Sequence, residues 1–331
     1  MHFDKESLFL RTLHSKNTAK GVGDDAVILT RQNRKNIAFS KPKASFAQII
    51  DSGREFVIAN DGFCEGIHFK REWLSISQIT KKAMLVNISD MVAMNASPKY
   101  AIISIVLPQL SPQEIIQIAT SLNDSAKEFG ISIIGGDTMS GKRLDFHITL
   151  FGVPNGKILF RKGLKNGDLV FCTGEVGSSL KALQYLARSK NQNIINTKSK
   201  RFSRFVSPRL RGKFIKSIAN FAHCGLDISD GVLAELNRLS NINHLGFSLA
   251  KAKSTKTNTQ NTQNYIKSSK ILPKAIRQKA YLSGEEYEML FAISPKHKTA
   301  LFRKARQNRI SLCFIATAKR QKTRFKTTIW H

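Results

Sequence analysis

The sequence predicts two α/β domains with mixed sheets, and three observations carry that prediction. Its 331 residues suffice for two domains that each bury a core. Apolar residues make up 41% of the chain, the level of an ordinary globular protein and above that of disordered chains. In both halves, short apolar runs that end in Gly- or Asp-containing turns alternate with stretches of helical periodicity.

Taken in order, residues 5 to 15 read as a helix, and Gly21-Val22-Gly23-Asp24-Asp25 as a turn into the apolar Ala26–Leu29. Phe56-Val57-Ile58-Ala59 is a β-branched run that stops at Asn60-Asp61-Gly62, which puts Asp61 at the end of a strand. From Ser77 to Asn95 the spacing is helical. Ala83, Val86, Asn87 and Asp90 fall on one side of it, so Asp90 projects from a largely apolar face. Ala101 to Leu107 reads as a buried strand and Pro112 to Glu128 as a helix with proline in its first turn. Ile131 to Ile134 reads as a strand running into Gly135-Gly136-Asp137-Thr138. Leu144 to Val153 completes a first domain of residues 1–154, with Pro154-Asn155-Gly156 as the boundary.

The second domain, 155–331, opens with a strand from Leu169 to Thr173. It continues through the turn Gly174-Glu175-Val176-Gly177-Ser178-Ser179, whose amide N–H groups would suit a phosphate, and a helix to about Arg188. Lys190 to Arg204 is polar and reads as a loop. A helix follows Pro208. Gly225-Leu226-Asp227-Ile228-Ser229-Asp230-Gly231 then leads to a helix from near Val232, with Asp230 at its N-cap. Lys251 to Lys270 is rich in Lys, Thr, Asn, Gln and Ser and reads as a flexible insertion.

Fifty-three Lys and Arg against 23 Asp and Glu give a net charge of 53 − 23 = +30. A surplus of this size raises a nucleic-acid-binding reading, because cations neutralise phosphates and release counterions. The distribution argues for a basic surface that attracts small polyanions instead. The cations are spread along the chain, and the densest stretches, Lys251 to Lys270 and Lys319 to Lys326, lack interleaved aromatics that would stack bases. No apolar run approaches a membrane span: Ala101 to Leu107 stops at Pro108. The first six residues include two acids and no apolar leader core, so a cytoplasmic location is expected. Cys64, Cys172, Cys224 and Cys313 are far apart, with neither the spacing of a zinc site nor that of a disulfide framework.

The scarce acids are clustered. Eleven of the 23 fall in six places: Asp24-Asp25, Asp61 with Glu65, Asp90, Asp137, Asp227 with Asp230, and Glu285-Glu286 with Glu288. Each Asp beside a Gly is by itself an ordinary turn former. Together they suggest carboxylates gathered around hard divalent cations such as Mg²⁺, which also take substrate phosphates as ligands. Two nucleotide motifs fail on inspection. Gly21-x-Gly23-x-x-Ala26 lacks a preceding strand and carries two acids where a pyrophosphate would lie. Gly136-x-x-x-x-Gly141-Lys142-Arg143 is a residue short of a phosphate loop and has Arg143 where Ser or Thr is needed.

Six segments in order resemble the motifs of the thiamine-phosphate kinase family. They are Gly21-Val22-Gly23-Asp24-Asp25-Ala26, Asn60-Asp61-Gly62-Phe63-Cys64-Glu65-Gly66-Ile67-His68-Phe69, Asn87-Ile88-Ser89-Asp90-Met91-Val92-Ala93-Met94, Gly135-Gly136-Asp137-Thr138, Asp227-Ile228-Ser229-Asp230-Gly231 and Ser283-Gly284-Glu285-Glu286-Tyr287-Glu288. The family phosphorylates thiamine phosphate with ATP to give thiamine diphosphate, within the superfamily of aminoimidazole ribonucleotide synthetase. The resemblance implies that two-domain fold, with the N-terminal sheets of two subunits forming a barrel across a homodimer. It implies Asp25, Asn60, Asp61, Asp90, Asp137, Asp227 and Asp230 as Mg²⁺ ligands, with Asp61, Asp90, Asp137 and Asp230 central to catalysis. Gly136, Asp137, Arg161 and Ser229 would contact ATP; His68, Glu285 or Glu286, and Trp330 would face thiamine phosphate. Asn60 stands where the family usually has Thr or Ser, and no aromatic lies near Ala119 and Thr120, where many relatives place one.

Both reactants are anions. Carboxylate-held Mg²⁺ would offset their repulsion, and a phosphate oxygen, already ionised near neutral pH, needs no general base. The rival readings are another ATP-using enzyme of the same superfamily and a nucleic-acid-binding protein on a degenerate enzyme scaffold.

Overall fold

The computed structural model describes residues 27–29, 55–188, 202–250 and 279–327. The expected helix over residues 5 to 15, the Gly21 turn with Asp25, most of the polar loop after Lys190, the 251–270 insertion and Trp330 lie outside the described residues.

The first sheet has the order β1-β2-β5-β3-β4, built from β1 (Val27–Leu29), β2 (Phe56–Cys64), β3 (Ala96–Leu107), β4 (Ser132–Ser140) and β5 (Asp145–Pro154). β3 and β4 are parallel and the other pairs antiparallel, so this sheet is mixed. Three of its strands are longer than the sequence suggests, and the cause is their partners. β2 runs past Asp61 to Cys64 because β5 continues the ladder from Asn60↔Thr149 to Cys64↔Asp145. Asp61 is therefore inside a strand. β3 begins at Ala96, five residues before the expected start; it accommodates Pro98, which has no N–H, at a register shift against β5. β4 likewise runs through both glycines, and Asp137 lies within it. At Gly136 a Cβ would come 1.9 Å from the Ile103 carbonyl oxygen, so strand β3 requires glycine there.

Between β2 and β3 runs α1 (Ile76–Ala93). A reciprocal capping box starts it, Ser75 accepting from the Gln78 N–H and the Gln78 side chain accepting from the Ser75 N–H. α2 (Pro112–Phe129) has the same device in Ser111 and Glu114, with proline in the first turn and left-handed Gly130 at its end.

The second sheet, order β7-β9-β6-β10-β8, is antiparallel throughout. Its strands are β6 (Leu169–Thr173), β7 (Ala222–Asp227), β8 (Gly246–Leu249), β9 (Met289–Ile293) and β10 (Leu312–Lys319). The helices of this half are α3 (Ser178–Arg188), α4 (Ser203–Val206), α5 (Gly212–Ile218), α6 (Val232–Asn243) and α7 (Lys298–Gln307). All five β9 residues are buried, because apolar residues cover both faces of the strand. Phe291 and Ile293 face a core shared with Val57, Ile148 and the α1 residues Met84 and Ile88, whereas Leu290 and Ala292 pack with Leu236 and Leu239 of α6.

The main core thus runs through α1 from one sheet to the other. Fourteen of the 18 residues of α1 are buried, four of them polar: Thr80, Lys82, Asn87 and Ser89. Among the described residues no helix is long and apolar enough to cross a membrane.

Candidate active site

Strand alternation sorts the acids of the first sheet. Asp61 shares the face of Val57, Ala59 and Phe63, which looks toward α1. Its backbone N–H lies beyond the short β1 ladder and donates instead to Asn87 Oδ1 of α1 at 3.0 Å. Its Oδ1 accepts the Gly62 N–H at 2.8 Å. Asp90 is half-buried on α1, one turn beyond Asn87.

From the second half, Asp227 ends β7, 3% exposed, and accepts the Ser89 hydroxyl of α1 at 2.5 Å. Tyr287 marks where these groups meet. Burial pushes its phenol well above the usual range, and the negative charges of Glu285, Asp61, Asp227 and Asp90 push it further. Helix α1 contacts acids of both halves directly: Asn87 accepts the Asp61 N–H, Ser89 donates to Asp227 and Lys82 pairs with Glu285.

The motif around Tyr287 is an irregular segment whose acids have separate tasks. Glu285 and Tyr287 both adopt left-handed backbone conformations, at φ 52° and 50°. Glu285 pairs with Lys82 of α1. Glu286, 1% exposed, accepts the Gly177 and Ser179 N–H groups with Oε1, at 2.8 and 3.0 Å, and the Ser178 hydroxyl with Oε2. Burial nevertheless raises its carboxyl above the ordinary value. Glu288 takes the Thr173 hydroxyl at 2.5 Å and the Arg211 Nε at 2.7 Å. The glycine-rich turn after β6, expected to receive a phosphate, has its Gly177 and Ser179 amides turned onto Glu286 instead.

Asp230 and Arg161 form a neighbouring group. Asp230 is not the N-cap of α6; Gly231 occupies that position, at φ 102° with no side-chain cap. Asp230 pairs instead with Arg238, whose guanidinium also grips Glu235 at 2.8 and 2.9 Å. Burial raises the Glu235 carboxyl, and nearby Asp230 adds to this against Arg238 and Arg161. Ser229 offers its carbonyl to the Glu285 N–H at 2.6 Å, linking this turn to the Tyr287 segment.

Four expected site residues lie elsewhere. Asn60, adjacent to Asp61, points to the opposite face of the sheet, where its amide donates to Thr149 Oγ1 at 2.7 Å. Gly136 and Asp137 lie on β4, three strands from β2 and about 14 Å away at the usual strand spacing. Asp137 pairs in register with Ser104 on the outer face. His68 follows β2, with Nδ1 accepting the Cys64 N–H at 3.0 Å and its ring 5.4 Å from that of Phe63. Burial first, and then Asp145, pushes the Cys64 thiol up to about 11, so it is no nucleophile.

Sequence reasoning missed Lys82, Ser89 and Tyr287 as site residues. The sequence offers little signal for the first, since Lys82 follows Lys81 just before the apolar Ala83–Val86.

Among the described residues no three His, Cys, Asp or Glu side chains close up tightly enough to hold a metal by themselves. The donor chemistry nonetheless fits Mg²⁺, which is commonly bound by one or two carboxylates and completed by phosphate oxygens and water.

Residues 23–154 match the family model described as AIR synthase related protein, N-terminal domain. The chain is similar to the thiamine-monophosphate kinase of Buchnera aphidicola subsp. Schizaphis graminum, 30% identical over 85% of this chain and 79% of the relative. It is also similar to that of Leptospira interrogans serovar Lai, 32% identical over 72% and 75%. Among solved structures, AaThiL complexed with AMPPCP and TMP superposes with a TM-score of 0.74 at 21% identity, over 99% of this chain and 97% of that one, which establishes the fold. With the ordered motifs and this coverage of relatives, the chain belongs to the thiamine-monophosphate kinase family.

Proposed function

We propose that the chain transfers the γ-phosphoryl group of ATP to thiamine phosphate, giving thiamine diphosphate, at the carboxylates around Tyr287. The observation that carries this reading is that one helix, α1, holds acids from both halves: Asn87 accepts the Asp61 N–H, Ser89 donates to Asp227 and Lys82 pairs with Glu285. Asp61, Asp90 and Asp227 are the residues that would hold Mg²⁺, with Asp230 and Asp25 as further ligands. Bound Mg²⁺ supplies charge neutralisation where two anionic phosphates must approach. Arg161 and the Ser229 turn are assigned to ATP, on the side of Asp230.

Of the two acids proposed to face thiamine phosphate, Glu285 is favoured. Both Glu286 oxygens are engaged by protein donors, whereas Glu285 Oε1 has no hydrogen-bond partner among the described residues. Burial and the nearby negative charges keep the Tyr287 phenol protonated at working pH. No side chain has to remove a proton from the acceptor, so in-line positioning and charge neutralisation suffice. Transfer is direct, without a phosphoenzyme.

We also propose a homodimer formed through the first sheet. β4 is an edge strand exposed along its whole length, with Ile133, Ile134 and Met139 each at least 40% exposed. Gly136, Asp137 and Asn60 would then lie at or near the dimer contact rather than among the carboxylates of Tyr287.

The test is chromatographic detection of thiamine diphosphate after incubating purified protein with ATP and thiamine phosphate, with and without Mg²⁺. Mg²⁺-dependent product supports the reading. A folded protein that forms none, or a phosphorylated protein that passes its phosphate to thiamine phosphate, contradicts the reaction or its direct course.

A further inference from the structure

α1 touches both sheets, and its polar residues divide by face. Asn87 holds the backbone of Asp61 on the side of the first sheet. Lys82 and Ser89, seven residues apart and so on one helical face, reach the second half. Lys82 Nζ lies 2.7 Å from Glu285 Oε2, and Ser89 Oγ donates to Asp227 Oδ2 at 2.5 Å.

The lysine is an unusual residue for its position. Its side chain is 0% exposed and that of Glu285 5%, and its ammonium stands 4.0 Å from the ring centroid of Phe205 and 5.8 Å from that of Phe63. A buried ion pair is a poor device for stability alone, because the cost of desolvating two charges offsets most of their attraction and apolar replacements do as well. Its attested use is to fix geometry. The segment it holds is one that needs fixing, since Glu285 and Tyr287 both sit in the left-handed region and Glu285 Oε1 has no other hold among the described residues.

We propose that Lys82 is a positioning residue: its buried pair with Glu285, beside the Ser89–Asp227 hydrogen bond, sets the Tyr287 segment and the carboxylates of the second half against Asp61 and Asp90. The consequence for turnover rests on the phosphoryl-transfer reading; the tether itself does not. Misplacement by about an ångström is enough to cost on the order of a hundredfold in rate.

The test uses Lys82→Met, which leaves Glu285 in place, and the double variant Lys82→Met with Glu285→Gln, which removes both buried charges so that the fold is not left with an unpaired one. Three readouts are taken on the full chain: amide hydrogen exchange, the Mg²⁺ dependence of turnover and the melting temperature. The Glu285 and Tyr287 amides, which donate to Ser229 and Ile228, should exchange at least about tenfold faster in both variants relative to the β9 amides. The half-saturating Mg²⁺ concentration should rise and kcat should fall, while the melting temperature of the double variant returns toward that of the parent.

A double variant whose exchange and Mg²⁺ dependence match the parent would overturn the proposal. So would exchange that accelerates equally throughout the chain, since a merely stabilising pair predicts that. If the parent protein forms no thiamine diphosphate, the functional reading fails, and the exchange pattern still decides whether Lys82 is a tether.

Discussion

The two faces of the first sheet carry similar residues in different surroundings. On the inner face, the Asp61 backbone is held by α1, which also contacts Asp227 and Glu285 of the second half. On the outer face, Asn60 bonds a neighbouring threonine, and Asp137 stands on an exposed edge strand. Asn60 and Asp61 are consecutive in sequence and lie on opposite faces, because strand alternation sends neighbours to opposite sides. A motif written as a string hides this division.

The contrast is broken most directly by paired substitutions. Asp61→Asn should lower kcat by roughly a hundredfold or more, as removal of a charge-stabilising group does, while Asn60→Ala should stay within about threefold. Comparable losses at both positions, measured by steady-state assay, would show that the outer face shares the chemistry.

The second prediction concerns what covers the outer edge. Ile133→Lys on β4 should convert a dimer to monomers in light scattering, with the melting temperature of the monomer little changed. A parent that is already a monomer would contradict the dimer.

Glu286 tests the segment on the other side of the site. Glu286→Ala strands the Gly177 and Ser179 amides and should cost roughly 3 kcal/mol in denaturant titration. Glu286→Gln keeps the acceptor and should cost far less. Burial puts the folded-state pKa of Glu286 above its ordinary 4.5, so protonation favours the fold. That contribution is complete below about pH 4.5 and is lost as pH rises through the raised value. The glutamine variant should therefore gain on the parent as pH rises above 4.5. A loss there would mean that the charge itself is required. Gly136→Ala, whose Cβ would collide with the Ile103 backbone carbonyl, should lower the melting temperature by disturbing the β3–β4 ladder while leaving the inner site in place.

Much of this was legible in the sequence. The helices expected over Ser77 to Asn95 and Pro112 to Glu128 run Ile76–Ala93 and Pro112–Phe129, and Leu169–Thr173 is found with its correct ends. The acids of the inner site could be named because they are scarce in so basic a chain. Strand lengths were misjudged where the ladder depends on a partner distant in sequence, as for Asp61 against β5. The phosphate expected at Gly177 was a sound inference from local geometry; a glutamate more than a hundred residues later takes the same amides. Neither the Lys82–Glu285 pair nor the position of Tyr287 has a local signature, since each exists only once α1 is laid between the sheets.

The central claim is that carboxylates from both halves act as one Mg²⁺-dependent site. It is tested most directly by turnover against Mg²⁺ concentration for the parent, Asp61→Asn, Asp227→Asn and the double variant. Groups that act as a unit lose most of their effect together, so each single variant should fall by roughly a hundredfold and the double little further. A parent-like Asp227→Asn, or losses that multiply in the double variant, would contradict a single shared site.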